Sequence, residues 1–337
     1  RAIIGKWHLG HTRKVHYPIN RGFSQFYGHL NGAIDYFDHM REGELDWHND
    51  WETCYDKGYS TELITQEAVR CINTYEKEGP FLLYVAYNAP HTPLQAQEKD
   101  IELYCDDFGS LTPKEQKRVT YQAMVSCMDR GIGTIVDALK KKGIMDNTFL
   151  IFFSDNGPAG VPGSSSGKLR GRKFDEWDGG VRVPAVFYWK RAESNYKNLS
   201  SQVTGFVDIV PTLKELVGDK NRPERAYDGI SILPLLIGST SCIDRNFYLG
   251  CGAVVNKDYK LIRKGRKPGL NLPQDFLVDY QTDPYEKKNA SNGNEQIVRS
   301  LYQVALKYDT ITPCLPEIPY GKGREGFKAP VEWKVTR

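Results

Sequence analysis

The chain has 337 residues, enough for one large domain and a smaller one with a substantial core. Its 45 basic and 42 acidic residues leave a formal charge of +3, too little to argue for nucleic acid as a partner. No apolar run approaches the ~18 residues of a membrane span, and no signal-peptide pattern is present.

The chain opens on Arg1 rather than Met and runs at once into the apolar pair Ile3-Ile4, which reads as a strand already under way, as in a cut or processed polypeptide. The strand leads into Gly5-Lys6-Trp7-His8-Leu9-Gly10. Lys6 and His8 lie two apart, so an extended segment turns both to one side. A surface lysine and a hydrogen-bonded histidine is the plainer account of the same pair. His11, His16, His29, His39 and His48 have no comparable setting and read as structural. The acidic stretch of Glu42, Glu44, Asp46 and Asp50, with Trp47 and Trp51, reads as an ordinary exposed segment or as the rim of a cleft.

Residues 59–77 carry Leu63, Ile64, Ala68, Ile72 and Tyr75 at helical spacing. Phe81 to Tyr87 reads as a buried strand, ending in the loop Ala89-Pro90-His91-Thr92-Pro93. Two prolines restrict that loop, and a rigid loop suits an imidazole that must give up a proton in register. Thr112-Pro113-Lys114-Glu115 opens a helix, with Thr as cap, Pro at the first position and Glu three after the cap. Its apolar side is Met124, Val125, Met128, Ile132, Ile135, Val136 and Leu139, and it stops near Gly143. Phe149 to Phe153 is a second buried strand, running straight into Ser154-Asp155-Asn156-Gly157. This alternation predicts an α/β fold with a mostly parallel sheet flanked by helices.

Residues 157–183 form a basic, Gly/Ser-rich loop without periodicity, of a length that is usually functional or disordered. A strand resumes at Pro184–Trp189, and residues 207–217 read as a short helix around Pro211. Beyond about residue 240 the short runs Asn246–Gly250, Tyr259–Arg263 and Phe276–Tyr280 predict a small antiparallel sheet, followed by a helix near 293–308 and a Pro/Gly-rich tail. The expected domains are therefore 1–238, α/β, and 239–337, a small α+β domain.

Seven cysteines are present, none in a C-x-x-C pair. Cys242 and Cys251 are close enough in sequence to close a local loop, and the odd count leaves one thiol over. Asn198-Leu199-Ser200 and Asn289-Ala290-Ser291 are glycosylation sequons. Together these features point to the secretory pathway, with a lysosomal or extracellular destination. A cytosolic protein with buried thiols is the alternative.

Ligands of open α/β sheets bind at the carboxyl ends of strands. Asp155 and Asn156 stand at such an end, and their oxygens suit a hard divalent cation, Ca²⁺ or Mg²⁺. Two ligands are too few for calcium, and an Asx-turn explains the same residues. Lys173 lies among Arg170, Arg172 and Arg182, in a loop whose glycines allow close approach to an anion. A basic loop is also often simply solvated.

Taken together, Gly5-Lys6-Trp7-His8-Leu9-Gly10, Arg21-Gly22-Phe23, Ala89-Pro90-His91-Thr92-Pro93-Leu94-Gln95, Ser154-Asp155-Asn156-Gly157, Leu169-Arg170-Gly171-Arg172-Lys173 and Gly179-Gly180-Val181-Arg182-Val183-Pro184 resemble the type I sulfatases, and most closely the arylsulfatase B group. Val278-Asp279-Tyr280 and Thr282-Asp283-Pro284-Tyr285-Glu286 extend the resemblance into the C-terminal part. It implies an alkaline-phosphatase-like fold and a calcium-dependent hydrolase of sulfate esters, acting on a sulfated small molecule or a sulfated glycan. It implies a formylglycine, made from Cys or Ser in Cys/Ser-x-Pro-x-Arg, whose hydrate attacks sulfur. By position, Asp155 and Asn156 are its calcium ligands, and Lys6 and His8 hold the formylglycine hydroxyls, with His8 helping to collapse the sulfated enzyme. His91 and Lys173 bind the sulfate and stabilise or protonate the leaving oxygen.

The chain departs from the family in its nucleophile and in half of its metal cage. No Cys or Ser of the 337 residues stands in Cys/Ser-x-Pro-x-Arg, and the family's upstream Asp-Asp calcium pair is missing too. The chain by itself is therefore expected to be inactive, with an N-terminal companion segment supplying the rest. In the family a tail like that of Cys314 is tied by disulfide to such a portion. Two other readings stand beside this one. The first is an inactive secreted or matrix protein that binds sulfated glycans through Lys168, Arg170, Arg172, Lys173 and Arg182. The second is a phosphatase or phosphodiesterase of the same superfamily, whose two transition-metal ions are held by several Asp and His residues in a pattern not seen in the sequence.

Overall fold

The apolar pair near the start of the chain lies inside a sheet. The computed structural model describes residues 1–76, 78–195, 202–267 and 270–311. In it, β1 (Ala2–Lys6) pairs in parallel with β2 (Gln25–His29) on one side, from Ala2 opposite Gln25 to Lys6 opposite His29. Two short antiparallel strands, β3 (His48–Asn49) and β4 (Glu52–Thr53), extend the sheet beyond β2. On its other side β1 pairs in parallel with β5 (Leu83–Ala86), reached through helix α1 (Ser60–Thr74). The five-stranded order is β4-β3-β2-β1-β5. Ile3 and Ile4 are both fully buried, on opposite faces, as in a strand covered on both sides. Ile4 packs with Tyr27, Trp47 and Ile64 of α1, and Ile3 with Trp7, Tyr17, Phe26 and Leu30.

The expected buried strand at 81–87 is an edge strand among the described residues, and Tyr84 is 47% exposed. Its apolar run gives the strand but not its place in the order. Helix α2 (Pro113–Lys141) begins with the full capping box: Thr112 Oγ1 accepts from the Glu115 N–H, and the Thr112 N–H donates to Glu115 Oε2 at 3.0 Å. It packs on α1. These elements belong to the first of two units, residues 1–145 with 161–164.

The second unit comprises 146–160 and the described residues from 165 onward. Here β6 (Leu150–Phe153) pairs antiparallel with β7 (Ala185–Tyr188), so the parallel pairing of β1, β2 and β5 does not extend to this ladder. Helix α3 (Ile209–Leu216) follows. Strands β8 (Phe247–Gly250), β9 (Ala253–Val255), β10 (Tyr259–Ile262) and β11 (Phe276–Asp279) make the small antiparallel sheet in that order. Helix α4 (Glu295–Asp309) covers one face through Leu301 and Ala305, which meet Val254, Leu261 and Leu277. The other face, with Ala253, Ile262 and Val278, is covered by Trp177 from the long basic loop. Among the described residues no helix is long and apolar enough to cross a membrane.

Candidate functional site

In the first unit β1 and β5 run in parallel with Gly5 opposite Ala86, so both strands end at one side of the sheet. Lys6 is the last residue of β1 and half-buried. His91 lies in the loop that leaves β5. The structure therefore brings Lys6, His8 and His91 to the same sheet end. The alternation expected to align Lys6 with His8 is broken, however: the strand stops at Lys6, and His8 takes φ 56°, outside extended geometry. The His8 N–H donates to Leu30 O at 3.0 Å, and its exposed ring lies against Gly32, where an added methyl group would sit 2.6 Å from the imidazole. It is the left-handed turn, not side-chain alternation, that aims His8.

The His91 loop is fastened from beneath. The Tyr36 hydroxyl donates to the carbonyls of Asn88 at 2.9 Å and His91 at 2.8 Å, and the His91 N–H donates to Asn88 O at 2.8 Å. His91 Nδ1 lies 2.7 Å from Thr92 O. A carbonyl only accepts, so Nδ1 carries a proton and the ring orientation is set.

In the second unit Asp155 and Asn156 follow β6 after the single residue Ser154. The Asx-turn account fails for both. The N–H two residues after Asp155, that of Gly157, donates instead to Gly180 O at 2.9 Å, and the residue two after Asn156 is Pro158, which has no N–H. Asp155 Oδ1 accepts instead from the N–H of the next residue, Asn156, at 2.8 Å. The Lys173 N–H donates to Pro158 O at 2.9 Å, which joins the Lys173 loop to the Asp155-Asn156 strand end. Gly157 permits this closeness, since a side chain there would collide with Gly179 O at 1.8 Å.

Beneath the loop lies a buried ionic cluster that sequence reasoning missed. Lys260, 1% exposed, projects from β10 and pairs with Asp178 and with Glu286 Oε1 at 2.7 Å, and donates to Glu176 O at 3.1 Å. The Tyr280 hydroxyl donates to Asp178 Oδ1 at 2.8 Å, and the Asp178 N–H to Glu286 Oε2 at 2.7 Å. Arg182 lies 3.5 Å from Asp178. Burial pushes the Glu286 carboxyl up, against the opposing charge of Lys260. Tyr280 is pushed far above its ordinary range by burial, with Asp178 and Glu286 adding to it, so its hydroxyl keeps the proton it donates. Arg170, expected among anion-binding cations, is committed elsewhere: its guanidinium stacks 3.6 Å from the Trp177 ring centroid and donates to Glu286 O at 2.6 Å. The only signal for this cluster was a lysine inside an apolar strand run, opposite Val278.

Other expectations also change. The acidic stretch is not an ordinary exposed segment, because Asp46 and Trp47 are fully buried. Asp46 accepts from the N–H groups of Leu30 at 3.0 Å and Asn31 at 2.9 Å, from Asn31 Nδ2 at 2.8 Å and from His48 Nε2 at 2.9 Å. Burial raises its carboxyl, but these donors outweigh burial and hold it down to about 2. His29 is fully buried and stacks on Trp47, and no hydrogen bond of normal geometry reaches either ring nitrogen. Burial, opposed by Asp46 and aided by Lys6, lowers its imidazole to about 4. His29 thus stays a structural residue, of an unusual kind. Cys242 and Cys251 are free thiols, so the local loop expected of them is not closed. The Asn289 carboxamide is engaged on both ends: Oδ1 accepts from Leu277 N–H at 2.9 Å and Ser291 N–H at 3.0 Å, and Nδ2 donates to Asp275 O at 2.9 Å. Asn198 and Cys314 lie outside the described residues.

One carboxylate and one carboxamide on adjacent residues fit a hard cation in kind. They fit calcium only in part, since it takes six to eight oxygens. Among the described residues no group of three or more His, Cys, Asp or Glu side chains could hold a metal ion.

Residues 1–219 match the sulfatase family profile. Arylsulfatase J of Mus musculus is 35% identical over 240 residues, covering 68% of this chain and 39% of that protein. N-acetylgalactosamine-6-sulfatase of Homo sapiens is 30% identical, covering 70% of this chain and 45% of that protein. The chain thus spans less than half the length of these relatives. Among solved structures, Ps i-CgsB in complex with k-i-k-neocarrahexaose superposes with a TM-score of 0.81 at 28% identity, over 96% of this chain and 74% of that one. PsFucS1 sulfatase from Pseudoalteromonas sp. shares the fold at a TM-score of 0.67 and 23% identity, over 93% of this chain and 72% of that one. The fold is α/β and alkaline-phosphatase-like, with a mixed sheet flanked by helices and a C-terminal antiparallel sheet.

Proposed function

The chain belongs to the sulfatase family, and on that premise we propose that it is part of a sulfuric ester hydrolase of the arylsulfatase or glycosaminoglycan-sulfatase type, nearest in its motifs to the arylsulfatase B group. The substrate is a sulfate ester of a small molecule or a glycan. The protein belongs to the secretory pathway, lysosomal or extracellular.

Ca²⁺, when bound, polarises the sulfate oxygens, and formylglycine supplies the nucleophile. The nucleophile and the remaining calcium ligands come from a companion segment outside these 337 residues, since none of them provides Cys/Ser-x-Pro-x-Arg. Asp155 and Asn156 are this chain's share of the calcium ligands. Lys6 and His8 hold the nucleophile's hydroxyl groups from the end of β1. Lys173 binds a sulfate oxygen as a charge-assisted donor. His91, with Nδ1 committed to Thr92 O, does its proton transfer to the leaving oxygen through Nε2. The observation that carries the reading is the loss of both Asx-turns at Asp155-Asn156 beside Lys173: the turn that would explain these residues without chemistry does not form.

The test uses the full-length native protein. Peptide mapping should find an additional peptide bearing the nucleophile motif, and 4-nitrophenyl sulfate should be turned over. EDTA and Asp155→Ala should each abolish turnover. The 337-residue chain alone should have none. Turnover that survives EDTA would remove calcium and Asp155 from the scheme, and activity in the isolated chain would remove the companion segment.

A further inference from the structure

Phe174 breaks two rules at once. It is 78% exposed, although a phenyl ring is normally withdrawn from water. It also holds φ 77°, a left-handed conformation that a bulky aromatic residue adopts only when its surroundings force it. The forcing is visible. Residues 172–175 close a tight turn in which the Asp175 N–H donates to Arg172 O at 2.8 Å, while the Arg172 N–H donates to Asp175 Oδ2 at 3.0 Å. The next residue back, Lys173, is pinned by its N–H to Pro158 O. Glycine would take this backbone without strain, and a polar residue would suit the exposure. The turn instead presents an aromatic face, with the Lys173 ammonium 5.5 Å from its centroid.

We propose that Phe174 is a stacking platform for the ring that bears the sulfate ester. The inference rests on the sulfatase reading, in which Lys173 takes the sulfate. A sulfate ester places an anion and a ring one ester bond apart, and Lys173, whose ammonium sits over the Phe174 ring, offers a cation in contact with an aromatic ring that is 78% exposed. The ring chemistry is shared by an aryl group and by a pyranose, whose C–H groups pack on a phenyl face. Phe174 acts on ring-bearing esters and contributes nothing to inorganic sulfate. It sets specificity rather than performing a bond-making step.

The experiment compares full-length wild type with Phe174→Gly and Phe174→Tyr. It reads the inhibition constant of inorganic sulfate, KM and kcat for 4-nitrophenyl sulfate and for a sulfated N-acetylgalactosamine, and the thermal midpoint. Phe174→Gly should leave the midpoint unchanged or raised and inorganic sulfate inhibition within about two-fold. It should raise KM by about five-fold with kcat little changed, as loss of uniform binding does, and Phe174→Tyr should restore KM. A rise confined to 4-nitrophenyl sulfate assigns the platform to aryl rings, and one confined to the sugar assigns it to pyranoses. A lowered midpoint would make the ring a packing group and overturn the proposal. So would an unchanged KM, or an equal weakening of inorganic sulfate. If wild type neither binds inorganic sulfate nor turns over either ester, the sulfatase reading itself fails and takes the platform with it.

Discussion

Two buried polar clusters, one in each unit, are built on opposite principles. Around Lys260 the charges answer one another: an ammonium meets two carboxylates and a carbonyl, and a tyrosine hydroxyl and a guanidinium lie against Asp178. Around Trp47 one carboxylate, Asp46, is saturated by four donors, while the neighbouring His29 has no good partner for either ring nitrogen. The first cluster ties the Lys173 loop to the C-terminal sheet by charge. The second holds the β2 end and the 46–48 segment together and depends on an imidazole remaining neutral. The difference teaches that burial alone does not say how a polar group is tolerated. A paired cluster fails when mutation orphans one of its charges, while a neutralised imidazole fails when acid protonates it.

The largest expected effect breaks the Lys260 cluster. Lys260→Met leaves Asp178 and Glu286 buried without their ammonium and should destabilise by about 3–5 kcal/mol, read as a fall in the urea midpoint. The triple variant Lys260→Met, Asp178→Asn, Glu286→Gln removes all three charges and should recover most of that loss. A single variant within about 1 kcal/mol of wild type would mean that the cluster is not the tie it resembles.

The second effect belongs to the other cluster. The His29 imidazole sits at about 4 in the fold against 6.5 when exposed, so the unfolded chain binds the extra proton between those values. Stability from this group is complete above pH 6.5 and falls as pH drops towards 4, by about 3 kcal/mol in all. His11 and His39, also lowered by burial first, steepen the same slope. Asp46, lowered to about 2, surrenders its own contribution only below about 3.8. Glu286 runs the other way: its carboxyl is raised, so its contribution is lost as pH rises through its folded value. Urea unfolding from pH 7 to 4 should therefore show a fall that His29→Phe flattens. A slope unchanged by that substitution would assign the acid sensitivity to other groups. The result bears on the two proposed destinations, since a lysosomal pH falls within the window and an extracellular pH does not.

These clusters also mark what could be read from the sequence. The capping box at Thr112 and Glu115, the strand at Ile3-Ile4 and the C-terminal antiparallel sheet were legible because their signals are local: a cap, an apolar run, an alternation. The edge position of β5 was not, because strand order is a property of the whole sheet. Asp46 and Lys260 read as surface residues or as nothing, because what buries them is a partner distant in sequence. Arg170 read as an anion ligand because a basic loop gives no sign of the Trp177 ring beneath it. At the candidate site, residue types and strand ends were legible. The left-handed turn that aims His8, and the one that exposes Phe174, were not, since neither residue is the glycine that normally announces φ above zero.

The smallest effect sharpens the comparison most. Tyr280→Phe removes one hydroxyl and no charge. The lost bond went to a carboxylate, so its removal should lower stability by about 1.5 kcal/mol, well short of Lys260→Met. Asp178 keeps Lys260, so no charge is orphaned. Because Asp178 opens the short helical turn Asp178–Val181 that closes the basic loop, the loss should be local. Amide hydrogen exchange should rise at Gly179 and Gly180, whose N–H groups bond to Arg170 O at 2.6 Å and Trp177 O at 2.8 Å, while Leu277 in β11 keeps its protection. Exchange rising equally at both places would make Tyr280 an ordinary part of the core. A rise confined to the loop would show that the ionic cluster holds the segment carrying Lys173 in place, with the C-terminal sheet as its anchor.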